Sequence, residues 1–215
     1  MRAQHATPFV AAVLLSGTTL VGTYHQPRQP SPPMPYEDVG ACPFEGCAYG
    51  EWTATGTVAV RRKRALTSPI VFRVRKGEKV TAITGVVVTT KAGRVQFREP
   101  VDLSTSTDSV HVDPSETLYL LTYRGEGWTK AWFKGRMYDE LDGSMAFLNG
   151  VCEITPAECV GTIVEHPQQV WWVQVRTAGG RSGWTSEPDK FDGKDALGGR
   201  HAGARVPAWT AGALR

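Results

Sequence analysis

Cysteine is scarce in this chain: four in 215 residues, at positions 42, 47, 152 and 159. None forms a C-x-x-C pair, which argues against dithiol redox catalysis. Long apolar runs are missing as well. The best candidate, Phe9 to Val21, is interrupted by Ser16, Gly17, Thr18 and Thr19, too short and too polar for a membrane span of about 20 residues. Charge of one sign does not dominate, since Lys+Arg 24 against Asp+Glu 21 gives a net charge of +3, too mild for a nucleic-acid partner. The five histidines, His5, His25, His111, His166 and His201, accompany no nucleophile motif. No catalytic residue, cofactor site or metal site can be named from such a set.

What is present begins with an export signal. Arg2, the apolar stretch and an abrupt change to polar, Pro-rich sequence read as a signal peptide over residues 1–22, which places the mature chain, without a transmembrane span, in the periplasm or outside the cell. The cysteines fit that compartment. Cys42 with Cys47 and Cys152 with Cys159 form two local pairs, as expected of short disulfide loops under oxidising conditions. Pairing across the two groups is an alternative, and so is one zinc held by all four thiolates, although zinc sites favour tighter spacings. Residues 23–40 read as a Pro-rich linker, because PRQPSPPMP (27–35) holds five prolines and favours an extended polyproline conformation. Its overlapping P-x-x-P patterns, starting at Pro27, Pro30 and Pro32, could also dock in an aromatic groove. Residues 193–215 lose periodicity and read as a disordered tail.

Between Gly50 and Phe191 the apolar period is two, which predicts strands. In Ile70–Arg75, Ile70, Phe72 and Val74 alternate with Val71, Arg73 and Arg75; in Arg94–Arg98, Val95 and Phe97 face inward. Lys79–Thr90 is a longer β-branched run broken at Gly85, where a bulge or corner is expected. Thr117–Tyr123 is apolar on both faces, which predicts a central strand. The fold class is therefore all-β.

Lys76-Gly77-Glu78 followed by Val80–Gly85, with Gly127-Trp128, and then Trp171, Val173 and Val175 followed by Gly179, Gly180, Gly183 and Trp184, resemble bacterial SH3-like domains. The opening Gly40–Trp52 (GACPFEGCAYGEW) is similar to the start of an uncharacterised exported family with SH3-like repeats. The resemblance implies two small SH3-like barrels, separate or fused, over 41–140 and 141–192. It implies no particular activity.

Dense aromatics supply the candidate site. By alternation Trp171 shares a face with Val173 and Val175 and reads as core, whereas Trp172 shares its face with Gln174 and Arg176. Trp172, with Trp132 and Tyr123, is thus the expected ligand-binding set. Arg61–Arg64 (RRKR) reads as a solvated turn; should it act, an anionic envelope polymer is the partner. The expected function is a non-catalytic exported module that binds a cell-wall or envelope peptide, glycan or protein. A structural or assembly protein of the envelope is the alternative, and a zinc-dependent or thiol enzyme comes third.

Overall fold

Period-two alternation becomes strand throughout the residues that the structure, a computed structural model, describes: 30–144, 146–148, 155 and 159–197. The expected leader (1–22), Cys152 and the chain beyond 197 lie outside them. In the first part of the chain lie β1 (Tyr36–Val39), β2 (Gly50–Ala54), β3 (Val58–Arg61), β4 (Ile70–Val74) and the long β5 (Lys79–Lys91). Then come β6 (Gly93–Phe97), β7 (Val101–Ser104), β8 (Ser109–Val112), β9 (Leu118–Gly125), β10 (Trp128–Phe133) and β11 (Arg136–Asp142). The chain continues through β12 (Gly161–Glu165), β13 (Gln168–Arg176), β14 (Ser182–Thr185) and the short β15 (Phe191–Asp192). The class is all-β, as expected.

The first sheet has the order β15-β2-β5-β13-β14-β3-β4, with β1 pairing the second half of β5. Hydrogen bonds from Gly77 N to Ala54 O (2.7 Å) and from Ala54 N to Glu78 O (3.0 Å) tie the β4–β5 turn to the end of β2 and curl the sheet into a half-barrel. Trp52, Val58, Val60, Phe72, Val173 and Phe191 fill it. The second sheet runs β11-β10-β9-β6-β12, and β7 and β8 form a hairpin beside it. Its core is built on Phe97, Leu118, Leu120, Phe133, Leu141 and Phe147. As its two apolar faces predict, β9 is central.

Strands are shared between the sheets differently from a division at residue 140. The first sheet combines 36–91 with 168–192, and the second is made of strands from 93–142 and 161–165. Non-local pairing of β5 with β13 causes this: the two strands match from Gln168↔Lys91 to Arg176↔Thr81, and the strands of the second sheet all lie between them in sequence. Part of the expected linker is also structured, since 36–39 is β1. Beyond β15, Ala196 N bonds Gly46 O (2.7 Å) and Asp195 bridges Cys47, so pairing continues past residue 192.

A register shift in the β5–β13 pairing opposes Gln174 to Thr84 and Val175 to Ala82, leaving Ile83 as the bulged residue. This turns Ala82, Gly85 and Val87 onto one face. Gly85 then lies beneath Trp171 and Tyr49: a Cβ there would fall on the Tyr49 hydroxyl and the Trp171 indole nitrogen, and 2.9 Å from Ala41 O. The Tyr49 hydroxyl donates to Ala41 O, and burial pushes its pKa up to about 12.

The two sheets meet at a buried carboxylate. Asp38, on β1, is only 2% exposed; its Oδ1 accepts from Arg124 Nη2 (3.1 Å) and from Lys130 Nζ (3.2 Å). Burial works against the Lys130 charge, but the hydrogen bonds to Asp139, Tyr36 and Asp38 outweigh it and raise the pKa. Nearby, Thr89 Oγ1 donates to Leu121 O (2.9 Å), joining β5 to β9.

Two stability outcomes are expected. Gly85→Ala forces backbone and ring atoms apart and costs about 1–3 kcal/mol, read as a fall in Tm, while Gly179→Ala, whose nearest neighbour lies at 3.9 Å, is neutral; equal Tm values refute the close-approach argument. Asp38→Ala strips Lys130 and Arg124 of their shared acceptor and costs about 3–5 kcal/mol in urea unfolding at pH 7. A loss under about 1 kcal/mol contradicts the junction's role.

Candidate functional site

Alternation along β4 sends Phe72 and Val74 into the first core and leaves Arg73 and Arg75 exposed. The following turn closes on itself, with Glu78 N donating to Arg75 O (3.0 Å) and Glu78 Oε2 accepting from Arg75 N (2.8 Å). Glu78 thereby spends its carboxylate on backbone. The β13–β14 turn is closed by Thr177 N to Arg181 O and by Gly180 N to Thr177 O, both 2.9 Å. Arg181 leans from this turn onto β4: Nη2 donates to Val71 O (2.7 Å) and the guanidinium lies 4.7 Å from the centre of the Phe72 ring.

Between the two turns is a groove of about 500 Å³, lined by Arg73, Arg75, Glu78, Lys79, Arg181 and the 177–179 backbone. Lys79 is paired with Glu51 (2.7 Å). Among the described residues Arg73 and Arg75 have no ion-pair partner. The groove is therefore electropositive, with one guanidinium pre-positioned and two free; such donors suit carboxylate, phosphate or sulfate oxygens. Outward Arg73 and Arg75 were legible from alternation, but Arg181 was not, because its place depends on how the β13–β14 turn folds back.

A second, smaller groove of about 310 Å³ lies between the loop 40–47 and the β9–β10 turn, lined by Phe44, Glu45, Arg124, Glu126 and Trp128. The Cys42–Cys47 disulfide, with 5.6 Å between its Cα atoms, closes that loop as the local pairing predicted. With two thiols so joined, the four-thiolate zinc site cannot form. Cys159 is buried and is not a free thiol; its expected partner, Cys152, lies outside the described residues.

The three sequence-predicted binding residues are not brought together. Tyr123 is a buried brace: its hydroxyl donates to Glu45 Oε1 (2.8 Å) and accepts from Gly127 N (3.2 Å), and burial raises its pKa to about 12. Trp132 is half-buried on β10, its indole N–H donating to Pro30 O (2.8 Å).

Trp172 corrects the expectation of an exposed face, being 4% exposed. The β3–β4 loop reaches across that face of the sheet. Arg64 pairs with Glu37 (2.9 Å) and stacks 5.4 Å from the Trp184 ring; in the register Glu37 opposes Val88 and Trp184 opposes Gln174, positions that flank Trp172 and its partner Val86. The RRKR segment is thus partly a roof and not wholly a solvated turn. Trp171 packs against the first core as expected, edge-on to Trp52 at 5.9 Å.

His111 lies on the β7–β8 hairpin between Asp102 (Nδ1–Oδ1, 2.8 Å) and Asp113 (Nε2–Oδ1, 3.6 Å). The cluster is exposed. Among the described residues no group of three His, Cys, Asp or Glu could hold a metal. Compared with known proteins, the chain matches no family model, no curated protein and no solved structure.

The hydrogen bond to Asp102 and the surrounding carboxylates raise the His111 pKa above 6.5. The stabilisation is complete below the unfolded-state value and is lost as pH rises through the raised folded value. Histidine NMR titration is expected to give a midpoint above 6.5 that falls in Asp102→Asn; an unchanged midpoint rules out the pair as its cause.

Proposed function

We propose that the protein is a non-catalytic, exported binding module whose basic groove holds an anionic polymer of the cell envelope. The observation that carries this reading is the convergence of Arg73, Arg75 and Arg181 on one groove whose only lining acid, Glu78, is turned to backbone. A flexible polyanion needs point charges and open access more than an enclosed cavity, and a shallow groove framed by two hydrogen-bonded turns provides both. Lys76-Gly77-Glu78 and Gly179-Gly180, the residues that carry the resemblance to bacterial SH3-like domains, belong to the turns that frame the groove. Export is supported by the Cys42–Cys47 disulfide, a bond that persists in oxidising compartments. No helix among the described residues is long and apolar enough to cross a membrane.

The test is binding of a glycerol-phosphate polymer, followed by calorimetry at two salt concentrations beside a neutral glycan of equal length. Binding of the polyanion alone is expected, weakening as salt is added. Arg73→Ala/Arg75→Ala is expected to weaken it roughly tenfold, equivalent to about 1.4 kcal/mol, whereas Arg62→Ala/Lys63→Ala removes the same charge elsewhere and leaves it near the parent value. Equal losses in the two double variants, or retention of the neutral glycan, overturn the assignment.

A further inference from the structure

The outer face of the second sheet carries an apolar row that the anionic-polymer reading does not use. On β10, Ala131 and Phe133 point into the second core, so Trp132 between them points away from it. Its register partners are Tyr119 on β9 and Met137 on β11. All three are half-buried and together form a stripe across the sheet.

The chain's own proline-rich segment meets this stripe at Trp132. Trp132 donates its indole N–H to Pro30 O (2.8 Å), Pro32 is buried, and a Cβ on Gly135 would come within 3.5 Å of Pro30 Cγ. Six residues on, Lys130 Nζ sits 5.8 Å from the centre of the Tyr36 ring and 3.2 Å from Asp38 Oδ1. Residues 30–38 thus follow the outer face of β10 from Trp132 to Lys130. The two ends of the segment are held differently. From Tyr36 onward it is β1, paired with β5 and pinned by the buried carboxylate. From Pro30 to Pro35 it joins no sheet, and only Pro32 is buried.

A proline-rich segment gives up few backbone N–H groups and little conformational entropy on docking, so an aromatic surface with an indole donor for its carbonyls suffices to hold it. Such a contact can be exchanged, unlike β1 itself. We propose that the Tyr119–Trp132–Met137 stripe is a recognition seat for proline-rich segments, occupied in this chain by Pro30–Pro33 as an intramolecular ligand that a proline-rich segment of a partner protein displaces.

The test uses the full chain and a synthetic peptide, PRQPSPPMP, the sequence of residues 27–35. Pro30→Gly/Pro32→Gly, verified as folded by circular dichroism, weakens the internal ligand, and the peptide is expected to bind this variant at least about tenfold more tightly than it binds the parent chain. Adding Trp132→Ala to the variant abolishes binding, and a peptide with every proline replaced by alanine does not bind. No peptide binding to the variant, equal binding to parent and variant, or binding that survives loss of Trp132 overturns the proposal. If the double variant does not fold, the parent chain is titrated with unlabelled millimolar peptide and the Ser31 backbone N–H resonance of the internal segment is followed; displacement moves it to its free-chain position, and an unmoved resonance overturns the proposal. Neither arm involves Arg73, Arg75 or Arg181, so this outcome is independent of polyanion binding.

Discussion

The burial of one carboxylate constrains how the two sheets can be arranged. Asp38 lies on β1, which is hydrogen-bonded to β5 of the first sheet, yet its partners Arg124 and Lys130 stand on β9 and β10 of the second. An ionised group removed from water costs several kcal/mol unless its charge is met at close range. The sheets therefore cannot slide or separate without exposing that cost, and the neutral contacts around it, such as Thr89 to Leu121, follow its geometry. Asp139 lies on the exposed side of Lys130 (2.9 Å), and its pKa is lowered by that lysine, so the lysine is balanced from both the buried and the solvent side.

The β5–β13 ribbon extends that constraint along the molecule. The second sheet leaves β5 after Lys91 and returns to β13 at Gln168, while the basic groove forms at the other end, beside Lys79 and Arg176. At about 3.3 Å per residue, a strand of 13 residues spans roughly 40 Å. The groove and the aromatic stripe of β10 consequently sit at opposite ends of one antiparallel ribbon and share no residue. The bulge at Ile83 lies between them.

What the sequence disclosed was local. Period-two alternation identified the strands, the two apolar faces of 117–123 placed β9 in the middle of a sheet, and the spacing of Cys42 and Cys47 foretold their bond. What it could not disclose depends on contacts between distant segments. Alternation correctly put Trp172 and Trp171 on opposite faces, but facing away from the barrel core is not the same as facing solvent, and the β3–β4 loop that reaches across the Trp172 face is more than a hundred residues away in sequence. The division into sheets was hidden for the same reason. Pairing of β5 with β13 is a long-range choice that no window of ten residues contains, and a sequential split into two units was the natural reading without it.

Gly85 shows how a single residue can be legible as special while its reason is not. A glycine inside a β-branched run signalled a bulge, and the bulge is there, but at Ile83, two residues earlier. Gly85 is required by its neighbours instead: the shift at Ile83 turns its missing side chain toward Trp171 and Tyr49, where no Cβ fits. The bulge and the glycine are thus two parts of one solution, since without the shift Gly85 would face the other way and any residue could occupy it. Gly183 of the Gly-Trp motif follows the same logic. A Cβ there would lie 2.7 Å from both Arg61 O and Val60 Cγ1, so the motif reflects close approach of β3 to β14 and not binding by the glycine itself. In this chain the most recognisable short motifs mark where backbones crowd, and the surfaces open to a ligand are built from side chains whose spacing in sequence is unremarked.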